Sequence, residues 1–262
     1  MKKFFAALQF LTIIPVGNNT IPKETHIAKC SSFFVLAGLV QGILLVATSY
    51  VAGKIFPADL VAGIILLVLV VSNGGFHLDG LADTFDAIAS RGNREKKLAI
   101  MKDSTIGPIG VTAIVFSLLF KYLSLINVLL SPSGILFSSL LLMPAVSKWA
   151  MVISLFHGKP AREDGLGRMF MNGTGLKEIA VSTLMLFIVL MSMGILFSRS
   201  LSHEQHIMYI ISVICIYLVC RISVFFFSKQ FGGLTGDTLG AISEISEITF
   251  LLWVTAWTQF SI

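Results

Sequence analysis

Apolar runs long enough to cross a lipid bilayer recur along almost the whole chain, and that pattern leaves few folds open. A spanning helix needs about 20 mainly apolar residues. Seven stretches approach this length: Ser31 to Tyr50, Asp59 to Phe76, Gly107 to Leu130, Gly134 to His157, Leu176 to Phe197, Ile207 to Phe227, and Glu244 to Phe260. Of the 262 residues 55% are hydrophobic and 13% charged, against about 25% charged in a soluble domain, so water is not the main solvent. The expected fold is all-α, a polytopic membrane bundle of about seven transmembrane helices in a single integral membrane domain covering 1–262. The segment 1–16 opens Met1-Lys2-Lys3 and runs apolar to Ile14. It is too short to cross and no Ala-x-Ala cleavage site follows, which predicts an interfacial or partly inserted helix.

Charge orients these spans. Fifteen of the nineteen Lys and Arg fall in the segments on the side from which the first span starts, including Lys2, Lys3, Lys23, Lys29, Arg91, Arg94, Lys96, Lys97, Lys102, Arg162 and Arg168. The opposite side holds Lys54 and Arg199, and Lys121 and Lys148 fall within spans. By the positive-inside rule the basic side is cytoplasmic. The basic balance therefore reports topology, and nothing calls for nucleic acid. Cys30, Cys215 and Cys220 lack metal-ligand spacing and read as packing residues.

Three polar stretches lie on the inner side: Gly74 to Asp86 with its continuation to Gly110, Ala161 to Gly167, and Gly232 to Gly240. In the first, Asp79, Asp83 and Asp86 are spaced i, i+4 and i+7, one face of a helix. Three carboxylates there repel one another unless a divalent cation sits among them, and carboxylates that leave room for phosphate oxygens suit Mg²⁺. A solvated acidic face is the plainer alternative. Asp103 follows a basic patch and either completes a metal site, acts as general base, or caps the next helix. Arg162, followed by Glu163, Asp164 and two glycines, fits an anion-binding loop or a plain solvated one. Lys148 lies inside a span, where a cation needs a phosphate, a carboxylate or a route to the surface. In the third stretch four glycines and two threonines surround Asp237. A backbone this open can approach a phosphate, or merely turn. Glu244 and Glu247 line the same cavity or favour a helix N-terminus, and His77 reads as a hydrogen-bonding neighbour of the Asp cluster. A transporter would use intramembrane charges too, but near the midplane and with internal repeats that this chain lacks.

Taken together, Gly74 to Thr84, Ile100 to Ser104, Ala161 to Gly167 and Gly232 to Ala241 resemble, in the same order, the adenosylcobinamide-GDP ribazoletransferase (cobalamin synthase) family. The resemblance runs from the N-terminal segment to the last helix. It implies a Mg²⁺-dependent transfer in the bacterial cytoplasmic membrane, with the active-site loops facing the cytoplasm. A hydroxyl of α-ribazole or its phosphate attacks adenosylcobinamide-GDP, and GMP leaves. Asp79, Asp83 and Asp103 are then expected to hold the metal, Asp103 and Asp86 compete as catalytic base, and Lys102, Lys148, Arg162, Gly236, Asp237 and Glu244 bind substrate. Membrane lipid is the other expected partner, and self-association is left open. The start Asp79-Gly80-Leu81-Ala82 is also similar to the shorter signature of CDP-alcohol phosphotransferases, which do related chemistry on lipids. The chain departs from the family pattern at Asn73, Thr105, Pro108 and Lys148. Thr105 stands where Arg is common and cannot clamp a phosphate bidentately.

Overall fold

The computed structural model describes residues 2–15, 29–163, 165–197 and 201–260. Lys23, Asp164 and Arg199 lie outside the described residues. Among these residues eleven α-helices and no strands form: α1 Lys2–Leu11, α2 Phe34–Ala52, α3 Ala58–Ser72, α4 Phe76–Ala89, α5 Arg94–Ile100, α6 Pro108–Leu130, α7 Ser133–His157, α8 Leu166–Gly173, α9 Leu176–Leu196, α10 His203–Phe231 and α11 Gly236–Phe260. A short 3-10 turn, Cys30–Phe33, leads into α2. Six helices are long and apolar enough to cross a membrane, and α3 with α4 forms a seventh unit broken by a bend of 85°. The chain is a multi-pass membrane protein, as the apolar runs require.

The bundle is built around α7, whose middle is buried almost all round. Helix α2 lies closest to it, for a local reason. A Cβ on Gly38 would come within 2.5 Å of the Pro144 carbonyl oxygen, and one on Gly42 within 2.6 Å of the Leu141 carbonyl oxygen. Small residues four apart let two helix backbones touch, so dispersion contacts replace the hydrophobic drive that lipid removes. Helices α9, α10 and α11 pack against its other faces, and α4 and α6 pack on α11. Large apolar side chains such as Phe116, Leu123, Phe187, Ile188 and Phe225 point outward, as lipid demands.

Two departures from the sequence reading shape the active end. The second span ends at Ser72, not Phe76, because Gly74 and Gly75 adopt left-handed φ values of 64° and 73°. Few other residues tolerate that geometry. At 15 residues α3 rises about 22 Å, short of the roughly 30 Å core. At 14 residues α4 is likewise too short to cross alone, and it turns away from α3 at the 85° bend. The last helix begins at Gly236, eight residues before the expected Glu244. Its start is fixed by reciprocal bonds: Thr235 N donates to Thr238 Oγ1 at 2.8 Å, and Thr238 N donates to Thr235 Oγ1 at 3.2 Å. This satisfies two helix-end donors. Glu244 and Glu247 consequently sit two to three turns inside the bundle and are buried.

All the polar stretches meet at one end of the bundle. Helix α1 docks there against α2, with Ile13 N donating to the Ser72 carbonyl at 2.9 Å. All three cysteines are free.

Candidate active site

Helix α4 carries Asp79, Asp83 and Asp86 on one face, and α11 begins beside it. The contact is set by glycine: a Cβ on Gly80 would lie 2.7 Å from the Asp237 carbonyl oxygen, and one on Gly240 3.2 Å from His77 Cα. This approach brings Asp237 to the acidic face of α4. Burial, then the neighbouring Asp79, Asp237 and Asp86 carboxylates, push Asp83 up to about 7, while Arg162 pulls it down. Like charges at this spacing disfavour the ionised form.

The four carboxylates have different surroundings. Asp79 is exposed and Asp83 half-buried. Asp86 is occupied: its Oδ2 accepts from Gly107 N at 2.7 Å and its Oδ1 from Gly110 N at 2.8 Å, capping the start of α6. A Cβ at Gly110 would sit 2.3 Å from Asp86 Oδ2, which is why glycine stands there. Asp103 lies off α4, on the loop between α5 and α6. Its fully exposed carboxylate accepts from the Thr105 amide at 3.0 Å and hydroxyl at 2.8 Å, which hold it below the usual carboxylate range, and it is not among the charges that act on Asp83. Asp237, by contrast, is among the charges that act on Asp83, so it is a further carboxylate beside Asp79 and Asp83. Among the described residues no three acidic, His or Cys side chains converge tightly enough to cage a metal ion. Mg²⁺ seldom uses such a cage, binding instead through one or two carboxylates, waters and substrate phosphates. The donor set of Asp79, Asp83 and Asp237 fits that open kind of site.

Two cavities adjoin the cluster. One of about 430 Å³ is lined by Asn73, His77, Asp79 and Asp237 on its polar side and by Phe10, Phe76 and Phe170 on its apolar side. Phe10 and Phe170 have ring centroids 4.4 Å apart, tying α1 to α8. The other, about 200 Å³, is lined by Arg162, Arg168, Thr235, Gly236 and Asp237. Gly167, Gly236 and Asp237 border both. A Cβ at Gly236 would meet nothing within 4 Å, so the α11 N-terminus opens onto this space. Unsatisfied N–H groups at a helix start and arginine side chains together suit phosphate. A larger cavity of about 480 Å³ lies at the opposite end of the bundle, around Asn127, Ser202 and Trp257, far from the polar stretches.

Arg162 is placed by paired loops. Ala161 N donates to the Leu234 carbonyl at 2.9 Å and Leu234 N to the Lys159 carbonyl at 2.7 Å, joining the second and third polar stretches. Arg94 braces them from α5 by donating to the Ala161 carbonyl at 2.9 Å. Arg162 then lies 3.9 Å from Asp237 and donates to the Leu98 carbonyl at 3.0 Å. Lys102 is exposed on the same loop as Asp103.

Lys148 and Glu244, expected at the substrate, lie behind the cavity in a buried ion cluster, because charges inside a bundle must balance one another. Lys121 Nζ donates to Glu244 Oε2 at 2.7 Å and to Glu247 Oε2. Lys148 Nζ donates to Glu247 Oε1 at 3.3 Å. Two ammonium groups thus face two carboxylates, with Ser117 and Ser147 donating to Glu244 and Glu247 at 2.9 and 3.1 Å. His77 joins this cluster to the cavity wall, a position that its spacing beside Asp79 could not reveal.

Fold and site define a polytopic membrane protein with carboxylates, arginines and an open helix N-terminus gathered at one end of its bundle. The cobalamin-5-phosphate synthase family profile matches residues 3–255. The chain belongs to that family. The adenosylcobinamide-GDP ribazoletransferase of Geotalea daltonii is 34% identical over 256 residues, 98% of each chain. That of Caldanaerobacter subterraneus subsp. tengcongensis is 34% identical over 254 residues, 97% of each. The ribazoletransferase of Clostridium tetani is also 34% identical, over 96% of this chain and 95% of its own. No solved structure matches the chain.

Proposed function

We propose that this protein joins adenosylcobinamide-GDP to α-ribazole or α-ribazole phosphate and releases GMP, as a Mg²⁺-dependent transferase at the cytoplasmic face of a bacterial inner membrane. The match along the whole chain carries the reading. The site supports it, since carboxylates beside a cavity with two arginines suit transfer at a diphosphate. The basic loops at that end support the cytoplasmic orientation.

Asp79, Asp83 and Asp237 are the residues that would hold Mg²⁺. When bound, the ion offsets charge on the diphosphate and on the leaving GMP. Arg162, Arg168 and the α11 N-terminus bind phosphate oxygens in the smaller cavity. The larger cavity takes the rest of the diphosphate and the bulkier organic part of a substrate, its phenylalanines shielding the reacting groups from water. A ribazole hydroxyl attacks the phosphorus on the cobinamide side of the diphosphate. The new P–O bond forms as the P–O–P bond breaks, GMP leaves, and the hydroxyl proton passes to a carboxylate. Of the two bases expected from sequence, Asp86 has both oxygens engaged by Gly107 and Gly110, and Asp103 has one engaged by Thr105 and one free. Glu244 and Lys148 act from behind the wall.

The test is direct. Purified protein in liposomes with Mg²⁺, α-ribazole and adenosylcobinamide-GDP is expected to release GMP in step with corrinoid product. Release of CMP from CDP-diacylglycerol, with the corrinoid ignored, would overturn the proposal.

A further inference from the structure

The Lys148 ammonium has three protons and four polar atoms within reach: Ser243 Oγ at 3.0 Å, and His77 Nδ1, Ser147 Oγ and Glu247 Oε1 each at 3.3 Å. A charged lysine donates and never accepts. Ser243 Oγ and Asn73 Nδ2 also lie near His77 Nδ1, at 3.4 and 3.5 Å. Lys148 Nζ donates, and so does Asn73 Nδ2, since Asn73 Oδ1 is taken by Gly75 N at 3.2 Å; facing these two donors, Nδ1 presents its lone pair. An imidazole accepting at Nδ1 carries its proton on Nε2. The other ring nitrogen, Nε2, has no hydrogen-bond partner among the described residues. His77 itself lines the 430 Å³ cavity beside Asp79 and Asp237.

We infer that His77 is a substrate-binding donor, giving its Nε2–H to a phosphoryl oxygen of the activated diphosphate, and that Lys148 is the positioning residue that fixes this tautomer. The inference rests on the transfer reaction proposed above. It also gives the buried cluster a purpose, since Lys121, Glu244 and Glu247 hold a cation against Nδ1 inside a bundle where that cation alone is costly. The cavity then offers carboxylates for a cation and a neutral N–H for an oxygen. His77 is excluded as a proton acceptor, because its only lone pair is turned toward Lys148.

The experiment reads the ring and the rate separately. In protein labelled with ¹⁵N-histidine, the His77 signals are assigned by their loss in His77→Gln. They are expected to show the Nε2–H tautomer in the native chain and in Lys148→Arg, and a mixture in Lys148→Met. His77→Leu should lower kcat/KM roughly 10- to 100-fold, the range for a lost hydrogen bond to a charged group. His77→Gln, which keeps an N–H donor, should recover most of that. Adding Lys148→Met to His77→Leu should cost little more. An Nδ1–H ring in the native protein overturns the inference even if product forms, as do fully additive losses in the double variant. An Nε2–H ring in a protein that makes no corrinoid product overturns the transfer reaction and leaves the ring assignment standing.

Discussion

Replacing Asp79 with Asn should move the titration of Asp83 in metal-free protein. The two side chains are one helical turn apart, so their charges lie about 6 Å from each other. Asp79 is exposed and Asp83 half-buried, so an effective dielectric constant of about 40–80 applies. The repulsion is then about 0.7–1.4 kcal/mol, or about 0.5–1 pH unit. This is smaller than the effect of burial, in keeping with the order of causes at Asp83. The native chain should show a carboxyl titrating at about 7, and Asp79→Asn should lower that midpoint by about 0.5–1 unit. The sign for stability follows from the raised value. The folded state holds the Asp83 proton more tightly than the unfolded chain, so its contribution is full below about pH 4 and is lost as pH rises through 7. Asp83→Asn should therefore raise the melting temperature of metal-free protein at pH 8 while impairing turnover. The assay is pH-difference infrared spectroscopy of the protonated carboxyl band, in detergent with chelator present. A band near 7 that persists in Asp83→Asn, or does not move in Asp79→Asn, would refute the reasoning.

Gly80→Ala should leave the protein inserted but cut turnover by at least 10-fold, because its methyl must displace Asp237 from α4; native activity in that variant would mean that the α4–α11 contact does not set the site. Asp86→Asn should lower thermal stability, since one of its two backbone acceptors at Gly107 and Gly110 becomes an amide nitrogen. The loss should be about 1–2 kcal/mol, by analogy with helix caps, and an unchanged melting temperature would count against the capping role.

How much of this was legible in the sequence depends on how local each cause is. The spans follow from apolar length alone, and the i, i+4, i+7 spacing of Asp79, Asp83 and Asp86 placed them on one helix face. The Gly74-Gly75 pair was visible, but apolar content carried the expected span on to Phe76. Reading hydropathy also put the start of the last helix where apolar residues thicken, at Glu244. The actual start is chosen by the Thr235–Thr238 cap, in a stretch whose glycines and threonines read as an open backbone and not as a helix start. That eight-residue difference changes Glu244 and Glu247 from rim residues to buried partners of Lys121 and Lys148. The pairing of Asp237 with α4 depends on contacts distant in sequence, through Gly80 and the 161–234 loop bond, so no local pattern announces it. Asp103 was grouped with Asp79 and Asp83 through the family likeness, and no spacing in the sequence could show the exposed turn that it forms with Thr105.

The central claim is that Asp79, Asp83 and Asp237, not Asp103, form the Mg²⁺ site of the transfer. It is tested most directly by measuring GMP release from adenosylcobinamide-GDP and α-ribazole across a Mg²⁺ titration in the native chain and in Asp83→Asn, Asp237→Asn and Asp103→Asn. The account predicts no release with chelator, a requirement for Mg²⁺ raised at least 10-fold in Asp83→Asn and Asp237→Asn, and a native requirement in Asp103→Asn whatever its maximal rate. Metal-independent release, or a raised requirement in Asp103→Asn alone, would contradict it.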